Sequence, residues 1–218
     1  MLKMKLLEPF DKLPYFTING FRQLSESGVS PQRARETLSR WSRAGHIIPL
    51  KRGVYMSRRY YESHSSDADF APAVSAILFP FSYVSLEYVL QRVGVLTEVT
   101  YPVTGITMKN TRTIESQVGT FVYRHIKPPL YTGYKNEQYY GITFYRASTA
   151  KALFDYLYFR PLLRQDRIRE LNLAEDLRFN LGDFTQEMID EFERYIHLSS
   201  SEKMSYIFDN IRNHVWRH

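Results

Sequence analysis

The order of capping residues, prolines and glycines between residues 14 and 53 restricts this chain more than any other feature of its sequence. Thr17 is placed to cap a short helix in which Ile18, Phe21 and Leu24 recur three residues apart on one face. Gly28 is the expected stop of that helix, because glycine readily takes the left-handed conformation that ends helices. These signals predict a first short helix around residue 21.

A second helix is predicted to begin at Ser30-Pro31, which combine a capping serine with a proline at the first helical position. We expect it to run from Gln32 to about Ala44 and to end at Gly45. Three apolar residues at helical spacing should face the core, namely Ala34, Leu38 and Trp41. The opposite side carries basic and amide groups, namely Gln32, Arg33, Arg35, Glu36, Ser39, Arg40 and Arg43.

The residues that follow predict a two-stranded hairpin. Residues 46–50 are strand-like, Lys51-Arg52-Gly53 can turn the chain, and Val54-Tyr55-Met56 can return it. Two helices joined by a short turn, then a hairpin with cations at its tip, form the winged helix-turn-helix pattern. We therefore expect a winged helix over residues 1–62.

The positive charge of the chain is concentrated in this same segment. The net charge is +6 over 218 residues, but residues 1–62 carry +7 and the remainder carries −1. A basic module on a near-neutral body favours a polyanionic partner for the module, although a solvated basic face and a protein-docking module are the alternatives.

Duplex DNA is the polyanion that this pattern favours. An α-helix fits the major groove, where arginine reads guanine and glutamine reads adenine, while cations at a wing tip reach phosphates. The predicted DNA-binding residues are Gln32, Arg33, Arg35, Ser39, Arg40 and Arg43 on the helix, with Lys51 and Arg52 at the tip. Arg58 and Arg59 are expected to extend this basic stripe.

Residues 63–218 are predicted to form a mixed α/β domain, which makes the whole chain α+β. A polar linker is expected over residues 62–69, and Ser85 should cap a helix that follows a short strand. Further helices are expected over 70–79, 148–159, 185–198 and 200–216, and strands over 99–107, 113–126 and 140–146. Gly119 is expected to mark a turn or a bulge in the second of these strands. From about residue 165 we expect a helical tail.

Three stretches, in this order, resemble the AbiEi family of antitoxins from type IV toxin–antitoxin and abortive-infection loci. They are Leu50-Lys51-Arg52-Gly53-Val54-Tyr55, then Tyr83-Val84-Ser85-Leu86-Glu87-Tyr88-Val89-Leu90 with Gly94-Val95-Leu96, then Arg146-Ala147-Ser148-Thr149-Ala150-Lys151-Ala152-Leu153-Phe154-Asp155. The resemblance covers about residues 15–160 and implies a winged-helix repressor joined to a second α/β domain. It further implies autoregulation through inverted repeats upstream of the operon, and a functional link to a nucleotidyltransferase-type toxin.

No sequence signature of a common catalytic site is present. The chain lacks the H-E-x-x-H, G-x-G-x-x-G, phosphate-loop and G-x-S-x-G patterns, so we expect no catalytic residues, metal or cofactor. Glu115-Ser116-Gln117, with Glu98 upstream, faintly resembles a metal-dependent nuclease core without its lysine, and a nuclease is the third alternative. Lys151 and Asp155 lie one helical turn apart and are expected to form a structural pair.

The absence of cysteine excludes disulfides, a thiolate metal site and a cysteine nucleophile. No apolar run approaches the roughly 18 residues that a membrane span requires, and the N-terminus has no stretch typical of a signal peptide. We therefore expect a cytoplasmic protein that makes no contact with membranes.

Overall fold

The computed structural model describes residues 6–25, 29–97, 102–161 and 172–216. Within these ranges the chain forms a mixed α+β fold with nine α-helices and two β-sheets. The strands are β1 (Phe16–Thr17), β2 (Ile47–Lys51), β3 (Val54–Ser57), β4 (Ser82–Val84), β5 (Val103–Thr107), β6 (Arg112–Ser116), β7 (Gly119–His125), β8 (Tyr134–Tyr139) and β9 (Ile142–Ala147). The helices are α1 (Ile18–Leu24), α2 (Pro31–Arg43), α3 (Arg58–His64), α4 (Phe70–Leu78), α5 (Leu86–Arg92), α6 (Thr149–Phe159), α7 (Leu173–Asp176), α8 (Gln186–Ser199) and α9 (Glu202–His214).

The first helix begins where the sequence predicts, but its apolar face is shorter. Thr17 caps α1 by accepting a hydrogen bond from the backbone N–H of Gly20 at 3.0 Å. Phe21 is buried, whereas Leu24, predicted on the same face of the helix, is 56% exposed. The chain leaves helical geometry at Ser25, which is buried itself and donates its hydroxyl to the Phe21 carbonyl at 2.7 Å. The predicted stop at Gly28 lies outside the described residues.

A three-stranded sheet follows the order β1-β3-β2, with β3 antiparallel to both of its neighbours. Lys51 pairs with Val54, so the turn consists of Arg52 and Gly53, and Gly53 has a φ of +77°. Lys51 therefore belongs to β2, which corrects the prediction that it forms part of the turn.

Strand β2 separates two hydrophobic cores. Ile47 points toward α2 and packs in a cluster with Ala34, Leu38 and Trp41. Ile48 and Leu50 belong instead to a second cluster that includes α4 and residues of β7 and β9. All six of these side chains are buried, so the hairpin is held from both sides.

The second sheet has six strands in the order β6-β7-β5-β4-β9-β8. It is mixed, because β5 runs parallel to β7 and β4 runs parallel to β9, while the other pairs are antiparallel. Helix α4 packs against β9 and β4, and the largest hydrophobic cluster joins β4 and β5 to α5, α6, α8 and α9. The described part of the predicted tail is therefore an integral part of this core, where Phe192 meets Phe154 and Trp216.

The predicted linker is ordered and attached to the body. Helix α3 extends to His64, and Asp67 accepts a hydrogen bond from the Tyr139 hydroxyl at 2.6 Å. Asp69 forms an ion pair with Arg146 on β9. Helix α3 and the contacts of Asp67 and Asp69 therefore connect the basic N-terminal module to the rest of the chain.

The structure refines the strand predictions at three places. The turn or bulge expected at Gly119 is a turn: Gly119, with a φ of +133°, divides the run 113–126 into the hairpin of β6 and β7. The predicted strand 140–146 begins only at Ile142, because Tyr140 and Gly141 both have positive φ and form the turn. The sequence did not predict strand β8, because the interior residues of this strand are polar, as is common in a strand at the edge of a sheet.

Because both cores depend on β2, we predict that the module and the body unfold together. Ile48→Ala should lower the free energy of unfolding by about 2–5 kcal/mol, the usual cost of emptying a buried isoleucine site. Urea unfolding followed by far-UV circular dichroism should give one transition that moves to lower urea concentration. The matched control is Leu24→Ala, which should leave the midpoint nearly unchanged; two separate transitions would contradict the shared-core description.

Candidate nucleic-acid interface

Capping and packing fix which face of α2 points outward. The Ser30 side chain accepts a hydrogen bond from the backbone N–H of Arg33 at 3.2 Å, and Pro31 is the first helical residue, both as predicted. Ala34, Leu38 and Trp41 are buried, and the Trp41 ring meets the edge of Phe21 with ring centroids 5.4 Å apart. The side opposite this stripe is therefore directed to solvent.

That outer face is cationic. All six DNA-binding residues predicted on this helix are exposed, namely Gln32, Arg33, Arg35, Ser39, Arg40 and Arg43. Gln32 donates its side-chain amide to Glu36 at 3.1 Å, which engages the one carboxylate of this helix. Across the described residues, none of the four guanidinium groups takes part in an ion pair.

The two predicted wing cations differ in their surroundings. Arg52 lies exposed in the hairpin turn. Lys51 instead directs its ammonium toward α4 and donates a hydrogen bond to the Ile77 carbonyl. Burial lowers the pKa of Lys51. Arg52 is consequently the cation that projects from the tip, while Lys51 links the hairpin to the body.

The expected extension of the basic stripe is only partly present. Arg58 donates to the Gly45 carbonyl at 3.3 Å and to the side-chain oxygen of Gln117 at 2.9 Å. Arg59 lies 3.9 Å from the carboxylate of Asp11. Both arginines therefore have partners inside the protein.

A second group of polar residues is buried in the body. The Lys151 ammonium lies 2.5 Å from one carboxylate oxygen of Asp155, and both side chains are fully buried. The other oxygen of Asp155 accepts hydrogen bonds from the Ser85 hydroxyl at 2.7 Å and the Tyr83 hydroxyl at 3.0 Å. Burial lowers the pKa of Lys151 and raises that of Asp155, while their mutual attraction opposes both shifts.

This network corrects the predicted role of Ser85. Ser85 occupies the position before α5, but its hydroxyl makes no capping bond and points to Asp155 instead. The expected Lys151–Asp155 pair is present, whereas its connection to Tyr83 and Ser85 depends on the pairing of distant strands and was not foreseen. The sequence contains one signal for this connection. Tyr83 and Ser85 belong to one of the three stretches that carry the family resemblance, and Lys151 and Asp155 belong to another.

A neighbouring carboxylate extends the polar group toward α8. Glu191 accepts hydrogen bonds from the hydroxyls of Ser148 and Tyr195, each at 2.7 Å. Gly133, with a φ of +79°, lies against them, because a Cβ there would be 2.1 Å from the Tyr195 hydroxyl oxygen. The close packing indicates that this region holds the turn at Gly133 and helices α6 and α8 together.

Two of the three residues proposed for a nuclease, Glu115 and Gln117, lie among the described residues. Glu115 is exposed on β6, and Gln117 accepts the hydrogen bond from Arg58, while Glu98 lies outside the described residues. Among the residues that the structure describes, no group of three or more histidine, aspartate or glutamate side chains is arranged to hold a metal ion.

Comparison of the sequence with protein families and with curated proteins found no match. No protein-family model matches the chain, and no curated protein matches it. Within the described ranges, no helix combines the length and apolar character needed to cross a membrane.

We predict that Asp155→Asn lowers the free energy of unfolding by about 3–5 kcal/mol, because it leaves the Lys151 ammonium buried without a counter-charge. Urea unfolding measures this loss. The control is the double variant Lys151→Met, Asp155→Leu, which removes both charges and should be more stable than Asp155→Asn. A single variant within 1 kcal/mol of the parent would rule out this role for the pair.

Lys51 and Arg52 provide a second contrast. Lys51→Met should lower the free energy of unfolding by about 1 kcal/mol, since the Ile77 carbonyl loses a charged donor. Arg52→Met should leave the stability unchanged, because Arg52 forms no ion pair with a described residue. Equal effects of the two substitutions on thermal unfolding would contradict the different positions of these neighbours.

Proposed function

We propose that the N-terminal module is a winged helix that binds duplex DNA, and that the protein is a sequence-specific transcriptional repressor. The order of elements supports this proposal: β1, two helices, and then the hairpin β2–β3, with β3 central in the sheet. In winged-helix proteins the second helix of such a pair enters the major groove. Helix α2 is the second helix of the pair in this protein.

The observation that carries the proposal is the exposed face of α2, where four arginines form no ion pair with any residue that the structure describes. Side chains at this spacing along a helix are suited to base edges and to the phosphates that flank the groove. Gln32 adds an amide at the N-terminal end, which is the end that contacts base edges in helix-turn-helix proteins. Arg52 on the hairpin suits a phosphate outside the groove.

The resemblance to AbiEi antitoxins motivates a more specific role. We propose that the protein is the antitoxin of a type IV toxin–antitoxin system for phage defence, acting in the cytoplasm and repressing its own operon. Its operator would consist of inverted repeats, and its toxin would be of the nucleotidyltransferase type. The meeting of Tyr83 and Ser85 with Lys151 and Asp155 supports the resemblance, since two separate motifs contribute to one buried network. Such a protein needs no catalytic centre.

The binding test uses fluorescence polarisation with the intergenic DNA upstream of the protein's own gene. The double variant Arg35→Gln, Arg40→Gln should lose at least tenfold in affinity, because charge-assisted hydrogen bonds to bases or phosphates disappear. The slope of log affinity against log salt should become shallower by about 0.9 for each lost phosphate contact. Arg112→Gln is the matched control, since Arg112 is an exposed arginine on β6.

Two results would contradict the proposal. Unchanged binding in the double variant would remove α2 from the interface. An affinity that does not depend on salt would exclude a phosphate-dominated interface and favour the alternative, a protein-interaction adaptor whose basic module docks on an acidic partner. Comparison with a shuffled duplex of the same composition tests whether binding depends on sequence.

A further inference from the structure

A polar pocket opens on the body, between the start of α5 and the end of α6. It encloses about 310 Å³, which lies at the lower end of the range for small-molecule sites. Its lining combines two cations, one carboxylate and two aromatic rings, contributed mainly by Glu87, Arg124, Tyr156, Phe159 and Arg160. It shares no residue with the proposed DNA-binding face.

Two charged atoms in this lining are withdrawn from solvent without gaining a partner. Nε of Arg124 and Oε2 of Glu87 are buried and form no hydrogen bond within the described structure. Such groups normally find a partner, because burial removes their water. Arg124 and Glu87 line the same pocket, yet no ion pair joins them. A ligand in this pocket meets the Arg124 guanidinium as a donor and the Glu87 carboxylate as an acceptor of hydrogen bonds.

The two guanidinium groups are held in place by aromatic rings. The Arg124 carbon Cζ lies 5.7 Å from the centre of the Phe159 ring, and that of Arg160 lies 5.4 Å from the centre of Tyr156. Lys203 anchors the end of α6, since its ammonium donates to the carbonyls of Tyr158 at 2.9 Å and Arg160 at 2.8 Å. The cations are therefore positioned in advance, which reduces the entropy lost on binding.

The backbone at the pocket wall is also unusual. Leu86 has a φ of +61°, a conformation that costs a non-glycine residue energy and that concentrates at functional sites. This residue immediately precedes Glu87, so the strained turn determines where the carboxylate enters the pocket.

The charged residues that line the pocket indicate which class of ligand it fits. Two arginines match a phosphate, which guanidinium groups bind through paired hydrogen bonds. The Glu87 carboxylate would repel a bare phosphate but accepts hydrogen bonds from hydroxyl or amino groups. We propose that this pocket binds an organic phosphate with ring hydroxyls, a nucleoside monophosphate or a sugar phosphate, with its phosphate on Arg124 and Arg160 and its hydroxyls on Glu87.

The test is isothermal titration calorimetry of the full chain with adenosine monophosphate, ribose 5-phosphate, adenosine and inorganic phosphate. Either organic phosphate should bind more tightly than inorganic phosphate, and adenosine more weakly than adenosine monophosphate. Arg124→Met should weaken binding of the organic phosphates about tenfold or more, as expected for a lost charge-assisted hydrogen bond. Arg160→Met, at an exposed position, provides the same test if Arg124→Met does not fold.

Glu87→Gln separates a binding role from a structural one. It should reduce the preference for the organic phosphates over inorganic phosphate, because the repulsion disappears and the hydroxyl acceptor is weakened. Arg112→Met, outside the pocket, should leave all affinities unchanged. Absence of binding by both organic phosphates, or equal binding by the parent and Arg124→Met with its thermal midpoint intact, would overturn the proposal.

Discussion

Strand β2 is the constraint on which the rest of the structure depends, because its two faces belong to two different cores. Ile47 packs under α2, while Ile48 and Leu50 pack against α4 and the six-stranded sheet. This arrangement fixes the hairpin relative to both parts of the chain. Since α2 buries its apolar stripe on the same strand, its cationic face is directed outward by the core. The positive charge of the N-terminal module therefore lies on a helix face that the core beneath it holds in place.

The body relies on a different interaction, the buried pair of Lys151 and Asp155 with the hydroxyls of Ser85 and Tyr83. This network connects the end of a central strand to the helix that packs over it. An apolar replacement could hold these elements with similar strength, so the ion pair contributes specificity of packing more than stability. Its complete burial also explains why a serine, a lysine and an aspartate so close together form no accessible site.

Local signals predicted the module well, because caps and glycines act over a few residues. Ser30, Pro31 and Gly45 delimit α2 as expected, and Gly53 forms the turn of the hairpin. Contacts between distant segments were not predictable in this way. The hydrogen bond of Lys51 to α4, and the pocket around Arg124, arise only when separate elements pack together. The spacing of apolar residues also gives no signal for a polar edge strand such as β8, because its pairing with β9 determines its conformation.

The most direct test of the central claim is to follow backbone amide resonances while the upstream duplex is added to isotope-labelled protein. Rigid presentation of α2 by β2 predicts that the perturbed amides concentrate at residues 32–43 and 50–54, without loss of the hydrogen bonds of the hairpin. Perturbations that concentrate on the six-stranded sheet, with α2 unaffected, would contradict the account.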